Sequence, residues 1–199
     1  MEQIISKEEF AKLKRMKGEV RGVALKGEAD FVLKEEGREG LERLEEVITN
    51  LGYPIRYKEI KATRFYPLWL EALTLLVIKR LFNYKNEKFQ KIGSFESKIS
   101  LIIRLFMKYF VSLERMIKEV PKMWRKYYTI GNLKVIEFNK EKRQGVLRLE
   151  GFQSTPLLQE TFKGVFSSVI QMIINRPVIC EEKRCSLEKD DCYEFLLKW

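Results

Sequence analysis

The chain ends in Cys185–Trp199, CSLEKDDCYEFLLKW, and this stretch decides its fold. Cys185 and Cys192 stand on either side of a short charged turn. After the turn, large apolar side chains occupy every second position: Tyr193, Phe195, Leu197 and Trp199. This alternation is typical of a β-strand with one face buried. The pattern predicts a hairpin that pairs residues 177–185 with residues 192–199.

The two cysteines also predict the register of that hairpin. If Cys185 lies opposite Cys192, Cys180 lies opposite Leu197. Successive side chains of a strand point to opposite faces, and Cys180 is five residues from Cys185. We therefore expect Cys180 on the aromatic face, as a small buried hydrophobe, and the other two cysteines on the opposite face.

Upstream of the hairpin, the pattern predicts two more strands and a helix. Residues 133–138 and 146–152 alternate around a charged turn, and residues 155–175 form an amphipathic helix with apolar side chains inward. The order of the C-terminal half is therefore β-β-α-β-β. The fold class that we predict is α+β, a helical N-terminal half packed on a four-stranded antiparallel sheet.

Most of the sequence before the C-terminal half is predicted to be helical. Residues 22–36 are ambiguous, and residues 53–63 suit a short strand or an extended connector. The predicted helices are 7–17, 38–51, 67–82, 94–110, 112–120 and 121–128. We predict an N-terminal helical segment, 1–52, and an α+β ligand-binding domain, 53–199; one compact domain over 1–199 is the alternative.

The positive charge of the chain is concentrated in its middle. The net charge is +10, and residues 51–130 carry 17 basic and 6 acidic side chains, about +11. Many of these cations fall at the polar edges of apolar helices. We therefore favour solvated helix faces over a nucleic-acid or acidic-partner surface, which remains a third functional hypothesis.

Sequence composition predicts a cytoplasmic protein. No apolar run is long enough to span a bilayer, and Met1–Arg15 lacks the apolar core of a signal peptide. Three cysteines close together favour free thiols or a metal site over a disulfide framework in a reducing compartment. Abundant Lys and Glu fit growth at high temperature.

The chain contains no histidine, and this excludes several chemistries. Histidine-dependent nucleophiles, proton shuttles and histidine-ligated haem are impossible within it. Glycine-rich phosphate-binding motifs are also missing, and we predict a non-enzymatic protein. The candidate metal ligands are Cys185 and Cys192 beside Glu181 and Glu194; zinc, a reduced pair and a disulfide are the alternatives. No certain cofactor is predicted.

Two helices, 67–82 and 94–110, are apolar nearly all round and need neighbours on several sides. With the aromatic residues they could enclose a cavity for a small hydrophobic molecule, and a filled core is the alternative. The residues that we predict to form the wall are Trp69, Leu73, Phe106, Tyr109, Trp124 and Tyr128.

The C-terminal half resembles the 4-vinyl reductase family of small-molecule-binding domains, relatives of the haem-NO-binding and TRAPP-type folds. The resemblance covers residues 131–199. The matching features are the helix with Gly164, then Glu182, Cys185, a six-residue spacer, Cys192 and the aromatic strand. Residues 22–52 are loosely similar to the start of haem-NO-binding domains. The resemblance implies a sensory module for hydrophobic or aromatic ligands.

The sequence departs from this family at two places. Pro156–Leu158 stands where zinc-bearing relatives have a further cysteine, and Ser186–Asp191 lacks the usual glycine. The resemblance also implies rival partners. A TRAPP-like module would form a homodimer around a filled core, whereas a sensor would need a separate signalling chain.

Overall fold

The structure, a computed structural model, describes residues 4–100, 103, 112–183 and 192–199. These residues form six α-helices and two small antiparallel sheets. The helices are α1 Lys7–Leu13, α2 Gly22–Asn50, α3 Leu68–Phe82, α4 Asn86–Ile99, α5 Leu113–Tyr127 and α6 Pro156–Ile174, with a 3-10 turn at Tyr57–Glu59. The strands are β1 Glu19–Arg21, β2 Phe65–Pro67, β3 Asn132–Asn139, β4 Gln144–Glu150, β5 Ile179–Lys183 and β6 Cys192–Lys198.

The larger sheet has the order β3-β4-β6-β5, with every neighbouring pair antiparallel. Helix α6 connects β4 to β5 and packs on the sheet, where Phe166 contacts Phe195 with ring centroids 5.2 Å apart. The predicted fold class, a helical half on a four-stranded antiparallel sheet, is confirmed. The predicted register is also confirmed, since Cys180 pairs with Leu197.

Several predicted helices have different bounds in the structure, and α1 ends at Leu13 instead of residue 17. Gly37 (φ 73°, ψ −171°) has non-helical backbone angles and divides α2 into two helical parts. The ambiguous residues 22–36 form the first part, and the second part corresponds to the predicted helix 38–51. Helix α4 begins at Asn86, eight residues before the predicted cap at Ser94, because an amphipathic stretch there packs Phe89 and Ile92 inward. The helix ends at Ile99, and Ser100 is extended (φ −62°, ψ 117°), so the predicted single helix over residues 94–110 was wrong at this point. The rest of that range lies outside the described residues, apart from Ile103.

The region 112–128 is one helix where two were predicted. The Ser112 hydroxyl caps α5 by accepting from Arg115 N, and Pro121 lies inside the helix. Residues 53–63 contain the 3-10 turn and no described strand, so of the two predicted alternatives the structure supports the connector. None of the helices among the described residues is long and apolar enough to cross a membrane.

Helices α4 and α6 approach each other backbone to backbone. An added Cβ on Gly93 would lie 2.0 Å from the Thr161 carbonyl oxygen, and one on Gly164 would lie 1.9 Å from the Gln90 carbonyl oxygen. Real Cβ atoms do not approach that closely, so both positions need glycine for space. This contact fixes the distance between the two helices.

We predict that Gly164→Ala destabilises the protein. The added methyl group would force the two backbones apart, an overpacking defect that costs about 3 kcal/mol. That exceeds the roughly 1 kcal/mol that alanine gains over glycine in helix propensity. Urea unfolding would measure the difference in the free energy of unfolding.

Gln171→Ala is the matched control, since Gln171 is exposed on the same helix. It should change the free energy of unfolding by less than about 0.5 kcal/mol. A Gly164→Ala protein as stable as the wild type would contradict the backbone contact.

Candidate functional site

A cavity of about 110 Å³ lies between the helices and the sheet. Its wall is formed by α2, α4, α5, α6 and the inner face of β3 and β4. The described lining residues are Val23, Ala24, Glu96, Ser97, Ser100, Ile103, Met116, Val120, Met123, Trp124, Tyr127, Tyr128, Leu133, Leu147, Phe162, Val165, Phe166, Val169 and Ile170. Most of this lining is apolar, and the polar groups gather where α4 meets α5.

One wall of the cavity is a packed aromatic cluster. Trp124 stacks on Tyr128 with ring centroids 4.4 Å apart, and both rings meet Phe162 edge-on. The Trp124 indole Nε1 donates to the Ile130 carbonyl oxygen at 2.9 Å. This bond and the close packing hold the indole ring in one orientation at the cavity wall.

Two carboxyl groups are buried behind this wall. Glu28 on α2 is 0% exposed and Glu71 on α3 is 1% exposed. The Tyr128 hydroxyl donates to Glu71 Oε1 at 2.8 Å. Glu71 Oε2 and both carboxyl oxygens of Glu28 have no hydrogen-bond partner among the described residues. Buried polar atoms are rarely left this way in folded proteins.

A third carboxyl group, Glu96 on α4, reaches the cavity itself. Its side chain lies across α2 at Gly27, where an added Cβ would be 2.4 Å from Glu96 Cγ. Glu96 Oε1 is buried and has no hydrogen-bond partner in the described part of the chain. Near it, the hydroxyls of Ser100 and Tyr127 hydrogen-bond to each other.

Burial raises the pKa of all three carboxyl groups. Removal from water raises the pKa of Glu71 to about 8. The same cause raises the pKa values of Glu28 and Glu96 well above the ordinary value, and each is raised further by the negative charge of Glu71. Desolvation and like charges both disfavour the ionised form. The cluster therefore holds protons at neutral pH.

These raised pKa values make the stability of the protein depend on pH. The contribution from a protonated buried carboxyl group is complete below its unfolded pKa near 4.5 and is lost as pH rises through the folded value. We expect the free energy of unfolding to fall between pH 5.5 and 7.5. Glu71→Gln should reduce this slope by about 1.4 kcal/mol per pH unit.

Urea unfolding at several pH values measures the slope. Glu46→Gln is the control, because Glu46 is exposed on the surface of α2. Parallel stability profiles for Glu71→Gln and the wild type would contradict a protonated Glu71.

The structure places two of the predicted wall residues, Trp124 and Tyr128, at the cavity. Trp69 and Leu73 lie elsewhere: Trp69 packs against Phe10 and Tyr53, and Leu73 is fully buried in the core. They project from α3, whereas the cavity wall comes from the helices on either side of it. Phe106 and Tyr109 lie outside the described residues.

Of the two cysteines predicted as metal ligands, one lies among the described residues and the other does not. Cys192 is 7% exposed and is disulfide-bonded, whereas Cys185 lies outside the described residues. Within the described ranges, no group of three His, Cys, Asp or Glu side chains could hold a metal ion. Zinc at the two cysteines stays a prediction that requires reduced thiols. Cys180 is a free thiol whose pKa burial raises to about 12, consistent with a core residue.

The sequence reasoning missed the carboxyl cluster. Glu71 was visible only as an interruption of an apolar helix, and Glu28 falls in the stretch that was ambiguous. The one sequence feature that could have indicated the cluster was Glu71, a carboxylate inside a helix that is apolar nearly all round. Its three-dimensional grouping with Glu96 depends on how α2, α3 and α4 pack together.

The fold is similar to that of H-NOX proteins. A structure of an H-NOX protein from S. oneidensis in the Fe(II)NO ligation state superimposes with a TM-score of 0.67 at 11% identity, covering 89% of this chain and 98% of that one. The Fe(II) unliganded H-NOX protein from K. algicida gives 0.64 at 12% identity, with 89% and 95% covered.

A trafficking protein particle complex subunit 3 from Naegleria fowleri, covalently bound to palmitic acid, has 20% identity and a TM-score of 0.46, too low to establish a shared fold. It covers 65% of this chain and 92% of that one. No known protein-family model matches the sequence, and neither does any curated protein. The 4-vinyl reductase resemblance stays a prediction.

The described cavity does not fit a haem. The chain offers no histidine, and the hydroxyls of Tyr127 and Tyr128 are already hydrogen-bonded. Drug-sized ligands occupy pockets of about 300–1,000 Å³, well above the volume found here. Among the described lining residues, Glu96 carries the one carboxyl group, and none is a Lys or Arg that could pair with the carboxylates of a haem.

Proposed function

We propose that this chain is a non-enzymatic sensory or carrier domain that binds a small hydrophobic or aromatic molecule in the cavity between its helices and its sheet. The observation that carries the proposal is the aromatic-walled cavity between the helices and the sheet. Binding sites of this kind are mostly apolar, with a few placed polar groups.

The cavity volume suggests a ligand of about one ring. An engineered apolar cavity of roughly 150 Å³ binds benzene, and this cavity is somewhat smaller at about 110 Å³. Met116, Met123 and Val120 add adaptable aliphatic surface to the aromatic wall. H-NOX proteins have the same fold, and a ligand-responsive role agrees with that similarity.

Toluene is a suitable probe, and we expect the intact chain to bind it with a dissociation constant of about 1 mM or lower. Val120→Phe should abolish binding because the larger side chain fills the cavity. Isothermal titration calorimetry measures both affinities. Native mass spectrometry beforehand shows whether a co-purified molecule already occupies the site.

Val47→Phe is the matched control, because Val47 is half-buried on α2 and does not line the cavity. It should bind toluene like the wild type. No binding of toluene by ligand-free wild-type protein would contradict the proposal, and so would unchanged binding by Val120→Phe.

The rival roles predict different measurements. A TRAPP-like dimerising module requires a filled core, and the cavity does not favour it. A separate signalling partner chain that responds to the bound state and a homodimer are further proposals of the same kind. Nucleic-acid binding through residues 51–130 stays the least favoured proposal.

A further inference from the structure

We infer that the ligand of this cavity carries a protonated amine on a single apolar ring, and that Glu96 binds the ammonium group. The inference rests on the proposed function and specifies the chemistry of its ligand. Three features of the described residues carry it: the charge of the lining, the unsatisfied carboxyl oxygens, and the shape of the aromatic wall.

The described cavity lining carries a single charged side chain, which is acidic. Glu96 lies among apolar residues, with the hydroxyls of Ser97, Ser100 and Tyr127 around it. No described lining residue is Lys or Arg, so no protein cation reaches this carboxyl group from the described wall. A cationic ligand would supply the counter-ion that the described wall does not provide for the Glu96 carboxylate.

The buried carboxyl oxygens of Glu28 and Glu71 also favour a positively charged ligand. Glu28 and Glu71 are at most 1% exposed, and together they leave three carboxyl oxygens without a partner in the described part of the chain. Ala24, one turn before Glu28 on α2, lines the cavity, and Tyr128 links the cavity wall to Glu71. This end of the cavity therefore favours a hydrogen-bond donor with positive charge.

The aromatic wall suits the rest of such a ligand. Trp124 and Tyr128 stack with an interplanar angle of 24°, and Phe162 stands nearly perpendicular to both. Ring edges and faces of this kind accept a small aromatic body by stacking or edge contact. Indole and phenol faces also attract cations. A ring attached to an ammonium group matches both ends of the cavity.

Binding of an ammonium group should release a proton. In the free protein the Glu96 carboxyl is protonated, and the groups that face it are Glu28 on α2, Glu71 on α3, Tyr127 at the end of α5 and Tyr128 directly after that helix. When R–NH3⁺ binds, the carboxyl O–H bond breaks, its proton leaves to the buffer, and a carboxylate–ammonium pair forms. Affinity for the amine should therefore rise from pH 6 to pH 8.

The test compares four probes that share one ring: benzylamine, benzyl alcohol, benzoate and toluene. Isothermal titration calorimetry of the full chain gives the dissociation constants at pH 6 and pH 8. We expect benzylamine to bind at least about tenfold more tightly than benzyl alcohol at pH 8 and benzoate to bind most weakly. Toluene should show no pH dependence.

Two matched variants identify the residue. Glu96→Gln should reduce benzylamine affinity about tenfold and remove its pH dependence, while toluene affinity stays the same. Glu87→Gln is the control, because Glu87 is exposed on the same helix. Circular dichroism confirms that both variants are folded before the titrations.

The outcomes separate this inference from the proposed function. Toluene binding without any preference for benzylamine would overturn the amine inference and leave the apolar cavity as the binding site. A benzylamine preference that persists in Glu96→Gln would also overturn it. If ligand-free protein binds none of the four probes, the proposed function fails as well.

Discussion

The close contact between α4 and α6 is the constraint on which the rest of the structure depends. At Gly93 and Gly164 each helix presents its backbone directly to the other, so the two axes lie closer than side chains would allow. Glu96 and Ser97 on α4, and Val165 on α6, line the cavity near the glycines. The close backbone contact between α4 and α6 therefore places the cavity directly beside the two glycines.

The carboxyl cluster has a cost that the fold itself does not require. Burying a polar group without a partner is unfavourable, and replacing it by an apolar side chain of similar shape is often neutral or stabilising. Glu28 and Glu71 nonetheless lie in the interior on two different helices, within the electrostatic reach of a third carboxyl group. A role in stability does not account for this arrangement, and the ligand site that we propose at the cavity would account for it.

Much of the sheet could be predicted from sequence because its physical rules are local and strict. Alternation along β6 and the cysteine spacing were sufficient to predict that Cys180 pairs with Leu197. The start of α4 was not predicted, because residues 86–93 are mostly polar and Phe89 and Ile92 become buried only when α4 packs in the folded protein. Residues 22–36 were ambiguous because glycines and charged residues interrupt their apolar pattern, although they form the first helical part of α2.

The cavity could be predicted only in outline. Trp124 and Tyr128, at helical spacing near the end of α5, lie at the cavity, whereas Trp69, an aromatic residue of the same kind, packs against Tyr53. Which apolar residue lines a cavity depends on how the packed helices are rotated relative to one another. A local stretch of sequence does not determine this rotation. The same limit concealed the carboxyl cluster, whose members are far apart along the chain.

The aromatic wall gives the protein an internal optical signal. Trp124, Tyr128, Phe152 and Phe162 contact one another at fixed angles, and the indole is further held by its bond to Ile130. Rings held rigidly in an asymmetric environment produce near-ultraviolet circular dichroism, which disappears when side-chain packing loosens even if the helices persist. The near-ultraviolet spectrum of a sample therefore contains a contribution from the packing of the cavity wall, beside those of Trp69 and Trp199, and this contribution is distinct from the signal of the secondary structure.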